Sequence, residues 1–326
     1  MRNNLTASFL ALSFVTFTRA EAVPTPAAVV PPQNETVPRN VQVFYITNRL
    51  VKKEKKLFYT FERSDDLNYG VREVKLTVHD GKKTLFAKRA ENSTDLKTED
   101  FFAKLADAQK EKKTKQVILY VHGYDCSIDV ASSVAAKMSN ELQLPVVLFS
   151  WPSRRNVLTY TADECNAEWS SFQLSDVLQD LSTKLGANNI ILVGHSMGCR
   201  ILCWSLQHAR AVGELPNEKF RHVFLCSPDM DAQVFQKYSQ IFKSTSEDTR
   251  VFASYKDVRL IISKLLHGAI RLGSLDSARK HEVVKLADND TIQTIDYTDD
   301  DPTVFGHAIP YHMLRQAIQP EATVSR

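Results

Sequence analysis

The chain has 326 residues, 43% of them hydrophobic and 24% charged, an ordinary balance for a globular protein with an ample core. Its 41 Lys and Arg against 38 Asp and Glu leave a formal charge of +3 spread along the chain, which argues against nucleic acid as a partner. No stretch beyond the N-terminus is long and apolar enough for a stable membrane span.

In chain order, Met1–Asn4 is a short basic start, Leu5–Phe17 is mainly apolar, and Ala20-Glu21-Ala22 places small residues where a peptidase would cut. Residues 1–22 read as a secretory signal peptide, and the mature protein is expected to be secreted or periplasmic. An uncleaved amphipathic segment is the competing reading. Residues 23–40 carry Pro24, Pro26, Pro31, Pro32 and Pro38 and read as an extended linker, leaving one domain over 41–326. Asn34, Asn92 and Asn289 open glycosylation sequons that matter only in a eukaryotic host. The five cysteines cannot all pair within the chain. Cys199, Cys203 and Cys226 read as buried small hydrophobes, and no CxxC pair offers a metal site.

Val41–Thr47 is rich in β-branched and aromatic residues and predicts a first strand. Val71–Val78 alternates from Val74 onward, which predicts an antiparallel strand near a sheet edge. Glu99–Ala108 has helical spacing, with Thr98 as the expected cap. Beyond it, short apolar runs recur at Val117–Val121, Pro145–Ser150, Asn189–Val193, Arg221–Cys226 and Thr249–Ser254. Helical segments at Val130–Leu142, Ala167–Leu185, Cys199–Ala211 and Ala232–Phe242 separate them. That alternation predicts parallel strands joined by helical crossovers. Val283–Leu286 and Thr291–Tyr297 are both candidates for a last strand, and Pro310–Ile318 for a terminal helix. The class is α/β, an α/β-hydrolase fold with a mostly parallel central sheet flanked by helices.

Ile190–Val193 runs straight into Gly194-His195-Ser196-Met197-Gly198. Strand, sharp turn and helix with a serine at the apex is the Gly-x-Ser-x-Gly nucleophile elbow. The serine backbone must be strained to lift its hydroxyl clear of the sheet, and glycines leave room where strand and helix crowd. A serine hydroxyl needs a general base, and the base needs an acid to orient it. In this fold they follow in the order Ser, acid, His.

Among the later histidines, His307 follows Phe305-Gly306 on a loop before the last helix, where the base belongs. His312 and His267 are alternatives, and His281 sits among charges. Asp257, after the strand two beyond the elbow, is the favoured acid. Asp229 is the alternative, although Asp229 and Asp231 could simply cap the helix at Ala232. The backbone N–H groups of Met197 and Tyr124 are the expected oxyanion donors, Tyr124 lying in the loop His122-Gly123-Tyr124-Asp125 after Val117–Val121. His122 reads as structural packing under that loop. Arg154 and Arg155 read as partners of Asp163 or Glu164, with an anionic substrate as the other possibility. Arg259–Gly273 is an apolar-basic stretch, read as a helix beside the acid or a pocket wall, with membrane-surface docking a weaker reading.

Further elements join these motifs in order: Val43–Arg49, Tyr69-Gly70, Val121–Tyr124, Phe149–Arg154, Pro228–Asp231 with Val234-Phe235, Leu266-His267-Gly268 and Gly306-His307. Together they resemble a branch of the α/β-hydrolases known as a domain of unknown function and widespread in bacteria. The resemblance covers about residues 41–318. It implies the hydrolase fold and supports Ser196, Asp257 and His307 as a triad. Tyr124-Asp125-Cys126 departs from the family, where Tyr-Asn is more common, but a backbone donor survives that change. The expected function is an exported serine hydrolase cleaving a small-molecule ester or acyl substrate through an acyl-enzyme, with no cofactor and no metal. The alternative is a non-catalytic binding or envelope-associated module on the same fold.

Overall fold

A computed structural model describes residues 39–53, 57–78, 85–87, 92–154, 159–215, 217–275, 292–301, 303 and 305–319. The signal-peptide segment, most of the Pro-rich segment, His281, Arg155 and the candidate strand Val283–Leu286 lie outside these residues.

Strands β1 (Arg39–Lys53) and β2 (Leu57–Val78) form a long antiparallel pair. Short strands β3 (Leu85–Ala87) and β4 (Asn92–Leu96) then pair with the outer edge of β2. Helix α1 (Thr98–Glu111) leads into the β/α series. The strands there are β5 (Val117–Val121), β6 (Val146–Ser150), β7 (Ile190–His195), β8 (Phe220–Cys226), β9 (Ser246–Ala253) and β10 (Ile292–Asp296). Between and after them lie α2 (Ile128–Leu142), α3 (Tyr160–Leu185), α4 (Met197–Ala211), α5 (Ala232–Thr245), α6 (Val258–His267) and α7 (Tyr311–Ile318).

Among the described residues the sheet order is β10-β9-β8-β7-β5-β6-β1-β2-β3, with β4 beside β2. Every pairing from β10 to β1 is parallel, and β1 alone of these strands also pairs antiparallel, with β2. Parallel strands buried on both faces explain the unbroken apolar runs, since β5 and β6 have no exposed residue. Alternation sorts their side chains between two cores. Phe44, Ile46 and Leu119 pack with α1, α3, α4 and α5, whereas Val43, Tyr45, Ile118 and Tyr120 pack with α2 and α7.

Several boundaries differ from expectation. β1 begins at Arg39, inside the expected linker, and runs on to Lys53. The cap of α1 is Lys97 rather than Thr98, and no side chain closes that end. The N-terminal half of β2, together with β4, is polar enough to read as loop, because pairing on an exposed edge demands little apolar surface. Between Thr291 and Tyr297 the expected strand is present as β10. The parallel topology sends the loops after β5, β6, β7, β8, β9 and β10 to one edge of the sheet, the carboxyl edge, where sites in open α/β sheets form.

Candidate active site

Ser196 sits between β7 and α4 with φ 54° and ψ −123°, backbone angles an L-residue rarely adopts and that cost on the order of 1–3 kcal/mol. The surroundings hold it there. Its N–H donates to Cys226 O at 3.0 Å, and its carbonyl accepts from Cys199 N at 3.1 Å and Asp229 N at 3.2 Å. The space around the elbow is equally restrictive. A Cβ on Gly198 would lie 2.3 Å from Val121 O and 2.5 Å from His122 O. A methyl there would force the first turn of α4 away from the end of β5. Gly123 approaches from the neighbouring loop, and a Cβ on it would be 2.9 Å from the Cβ of Ser196. The loop carrying Tyr124 therefore lies directly against the serine. The N–H of Met197 opens α4, so it is one of the donors that the helix leaves without an internal partner.

His307 arrives on the loop after β10. Its Nδ1 is 2.7 Å from Oδ2 of Asp257, and both side chains are almost wholly enclosed. A carboxylate can only accept, so Nδ1 carries the proton and Nε2 keeps a free lone pair. The two oxygens of Asp257 divide their tasks: Oδ2 holds His307, while Oδ1 accepts the Leu260 N–H at 3.0 Å and caps α6. The loops bearing acid and base are also locked together by backbone. Val258 N–H donates to Phe305 O at 3.1 Å. Gly306 has φ 69°, and a Cβ there would meet Lys256 C at 2.4 Å and Asp257 N at 2.6 Å. Opposite, the ring of His307 lies 4.8 Å from that of His195, the residue before Ser196. The structure thus brings the histidine–aspartate pair to the elbow.

Asp229 belongs to a different constellation. Its Oδ1 accepts from Arg271 Nε at 2.8 Å and Ser263 Oγ at 2.6 Å, and its Oδ2 from Tyr160 Oη at 2.5 Å. Its carbonyl accepts from Arg200. Burial alone would raise its pKa. Arg271 and Arg200 outweigh that and, with the two hydroxyls, hold it below the usual carboxylate range. Asp229 neither reaches His307 nor caps α5. The cap is Asp231, whose side chain accepts from Gln233 N and Val234 N.

The remaining expected residues fall into structural places. His267 bonds Glu164 through Nε2 at 2.9 Å, and His312 lies 3.6 Å from Asp300. His122 stacks on Trp151 at 5.2 Å and 11°. Burial first, and then the charge of Arg49, bring its pKa down to about 3, so it is a neutral packing residue. Asp163 does meet the loop after β6, but through the backbone N–H of Arg154 and the hydroxyl of Ser153 rather than an arginine side chain. Glu164 pairs with Arg200. The pairing of Arg154 with Asp163 expected from the sequence is thus made by its backbone N–H, and Arg155 lies outside the described residues. Cys165, Cys199, Cys203 and Cys226 are free thiols.

Two participants went unread in the sequence. Tyr297 donates its hydroxyl to Gly306 O at 2.9 Å, accepts from Ala308 N–H at 3.2 Å, and lies 2.5 Å from Ser227 Oγ. It therefore grips the residues on both sides of His307. Its signal was only a tyrosine closing the candidate strand Thr291–Tyr297. Arg49, buried within β1, donates to Ser150 Oγ at 3.0 Å and Cys126 O at 2.9 Å, tying the end of β6 to the loop after β5.

Residues 97–309 match the family described as alpha/beta hydrolase of unknown function (DUF900). The chain belongs to this family. Family membership and topology together make it an α/β hydrolase. A stretch of 106 residues is 29% identical to an uncharacterized protein of Nostoc sp. (strain PCC 7120), covering 32% of this chain and 26% of that protein. The match thus spans about a quarter of the relative's length. Among solved structures, a hyperthermophilic esterase from the archaeon Pyrobaculum calidifontis is similar at 11% identity and TM-score 0.35, covering 76% of this chain and 80% of that one. The thermostable carboxylesterase EstE1, cloned from a metagenomic library, is similar at 12% identity and TM-score 0.35, covering 90% and 92%.

Proposed function

We propose that this family member is an exported serine hydrolase that cleaves small-molecule carboxylic esters. The observation that carries the reading is a serine on a strained elbow beside a histidine whose Nδ1 is held by a buried aspartate. Ser196 Oγ attacks the ester carbonyl while His307 Nε2 takes its proton. Asp257 keeps the imidazole in that tautomer and favours the imidazolium that forms. The oxyanion is met by the N–H groups of Met197 and Tyr124, the first aided by the positive end of α4. His307 returns the proton to the departing alcohol, leaving an acyl-serine. Water, deprotonated by His307, attacks that acyl group, and the acid leaves as Ser196 recovers its proton.

A fluorophosphonate probe is expected to label the protein at Ser196, and Ser196→Ala to abolish the label. A series of p-nitrophenyl esters then reads the acyl preference. A folded protein that takes up no probe and turns over none of the esters would instead favour a binding module on a hydrolase fold. Export is read separately, as a mature N-terminus near Val23 in secreted material.

A further inference from the structure

Helix α6 follows Asp257 directly and has its amphipathic faces reversed. Its inner positions include Leu260 and the polar Ser263 and His267. Ser263 bonds Asp229, and His267 bonds Glu164. Its outer positions are apolar: Val258, Ile261, Ile262, Leu265 and Leu266, with Leu265 79% and Leu266 67% exposed. Surface helices normally turn such residues inward. The face is extended by Ile270 beyond the helix and by Phe305, which is 63% exposed and whose carbonyl receives the Val258 N–H. A contiguous exposed patch of this kind marks a surface built for a nonaqueous partner.

The charges choose among partners. From Lys256 to Arg271 the only carboxylate is Asp257, which is buried against His307. Arg259 and Lys264 stand exposed among the apolar residues, and no carboxylate pairs with either among the described residues. Lys256 lies at the edge, 3.5 Å from Asp299. A second copy packed on this face about a two-fold axis would bring Arg259 and Lys264 against their own counterparts. An anionic lipid headgroup layer complements them, with the leucines and isoleucines entering the acyl boundary and the long basic side chains reaching the headgroups. No helix among the described residues is long and apolar enough to cross a membrane, so such contact lies in the surface plane.

We propose that the outer face of α6, with Phe305 and Ile270, docks this protein onto an anionic lipid bilayer, setting the loop that carries Phe305 and His307 at the lipid surface. The docking does not depend on the proposed ester chemistry; only what is turned over there does.

The test is sedimentation of the full chain with vesicles of phosphatidylcholine alone or with about a third phosphatidylglycerol. The expected result is at least tenfold stronger binding to the anionic vesicles, weakened by salt. Leu265→Glu/Leu266→Glu should lose that preference while keeping the thermal unfolding midpoint, and Arg259→Gln/Lys264→Gln should weaken it several-fold. Ser196→Ala should bind like the unaltered protein, which keeps a failure of docking distinct from a failure of the hydrolase reading. Equal binding to both vesicle types, or binding that survives Leu265→Glu/Leu266→Glu, overturns the proposal. So does a dimer that this double substitution dissociates while no vesicle is bound.

Discussion

Two buried carboxylates follow neighbouring strand ends, Asp229 after β8 and Asp257 after β9, and they differ in what faces them. Asp229 meets Arg271 directly and Arg200 through its backbone, so its charge is already compensated before any substrate arrives. Asp257 meets a helix N-terminus and an imidazole. No arginine bonds its oxygens among the described residues, so on the proposed mechanism it would stabilise a proton arriving on His307. The first carboxylate is a fastener, its N–H pinning the carbonyl of Ser196. The second is free to orient a base. Being buried, acidic and near a strand end is therefore insufficient to identify the acid; the charge of the partner decides.

The two carboxylates should differ most in turnover. Asp257→Asn is expected to lower kcat on a soluble p-nitrophenyl ester by about 10⁴-fold, because an amide can present its NH₂ to Nδ1 and stabilise the wrong tautomer. The fold should hold, since asparagine caps a helix about as well as aspartate. Asp229→Asn should reduce kcat by no more than about tenfold. Equal losses in the two variants would show that the carboxylates do not divide the work in this way.

Stability should reverse the order. Removing the charge of Asp229 leaves Arg271 buried against a neutral amide, a loss of about 3–5 kcal/mol in urea unfolding at pH 7. For Asp257→Asn the loss should be about 1 kcal/mol, the scale of one exchanged hydrogen bond. Tyr297→Phe is the next step down. It removes a hydroxyl shared by Gly306 O, Ala308 N–H and Ser227. We expect about tenfold lower kcat and about 1–3 kcal/mol lower stability as these buried groups lose a partner. A variant with unchanged kcat would mean that the His307 loop is held by Gly306 and the Val258–Phe305 hydrogen bond alone.

These residues also show what could be read in the chain and what could not. The parallel core was legible because β5, β6 and β7 carry nearly unbroken apolar runs and β8 and β9 end in them, and the elbow because its residues are contiguous. Thus Ser196, and the order in which acid and base must follow it, needed only local pattern. Asp257 was already favoured over Asp229 by its place two strands beyond the elbow; what no spacing announces is the other role of Asp229, on which Tyr160 on α3, Ser263 on α6 and Arg271 beyond it all converge. Tyr297 was hidden for the same reason, since its role is a bond to residues nine and eleven positions on. The stretch Arg259–Gly273 was only partly legible. Its apolar-basic content allowed a helix beside the acid, a pocket wall or membrane-surface docking; the helix is there, with Leu260 buried and with Ser263 and His267 turned to Asp229 and Glu164.

The smallest effect sharpens the comparison through pH. Asp229 in the folded protein sits below the ordinary carboxylate value: burial opposes its ionisation, and the charges of Arg271 and Arg200, with the hydroxyls of Ser263 and Tyr160, overcome that opposition. In the unfolded chain its pKa returns to about 3.9. Between the two values the unfolded chain binds more protons than the folded one, so stability rises with pH there. The contribution is fully present above the unfolded value and is lost as pH falls toward the folded one. The gap in unfolding free energy between the unaltered protein and Asp229→Asn should hold from pH 7 to about pH 5. Below about pH 4 it should narrow by no more than about 1.4 kcal/mol per pH unit, the limit for one proton. Groups that titrate alike in both proteins cancel in that difference. Urea midpoints at pH 7, 5, 4 and 3 measure it, and a gap that stayed constant down to pH 3 would mean that Asp229 is not the ionised anchor its partners require.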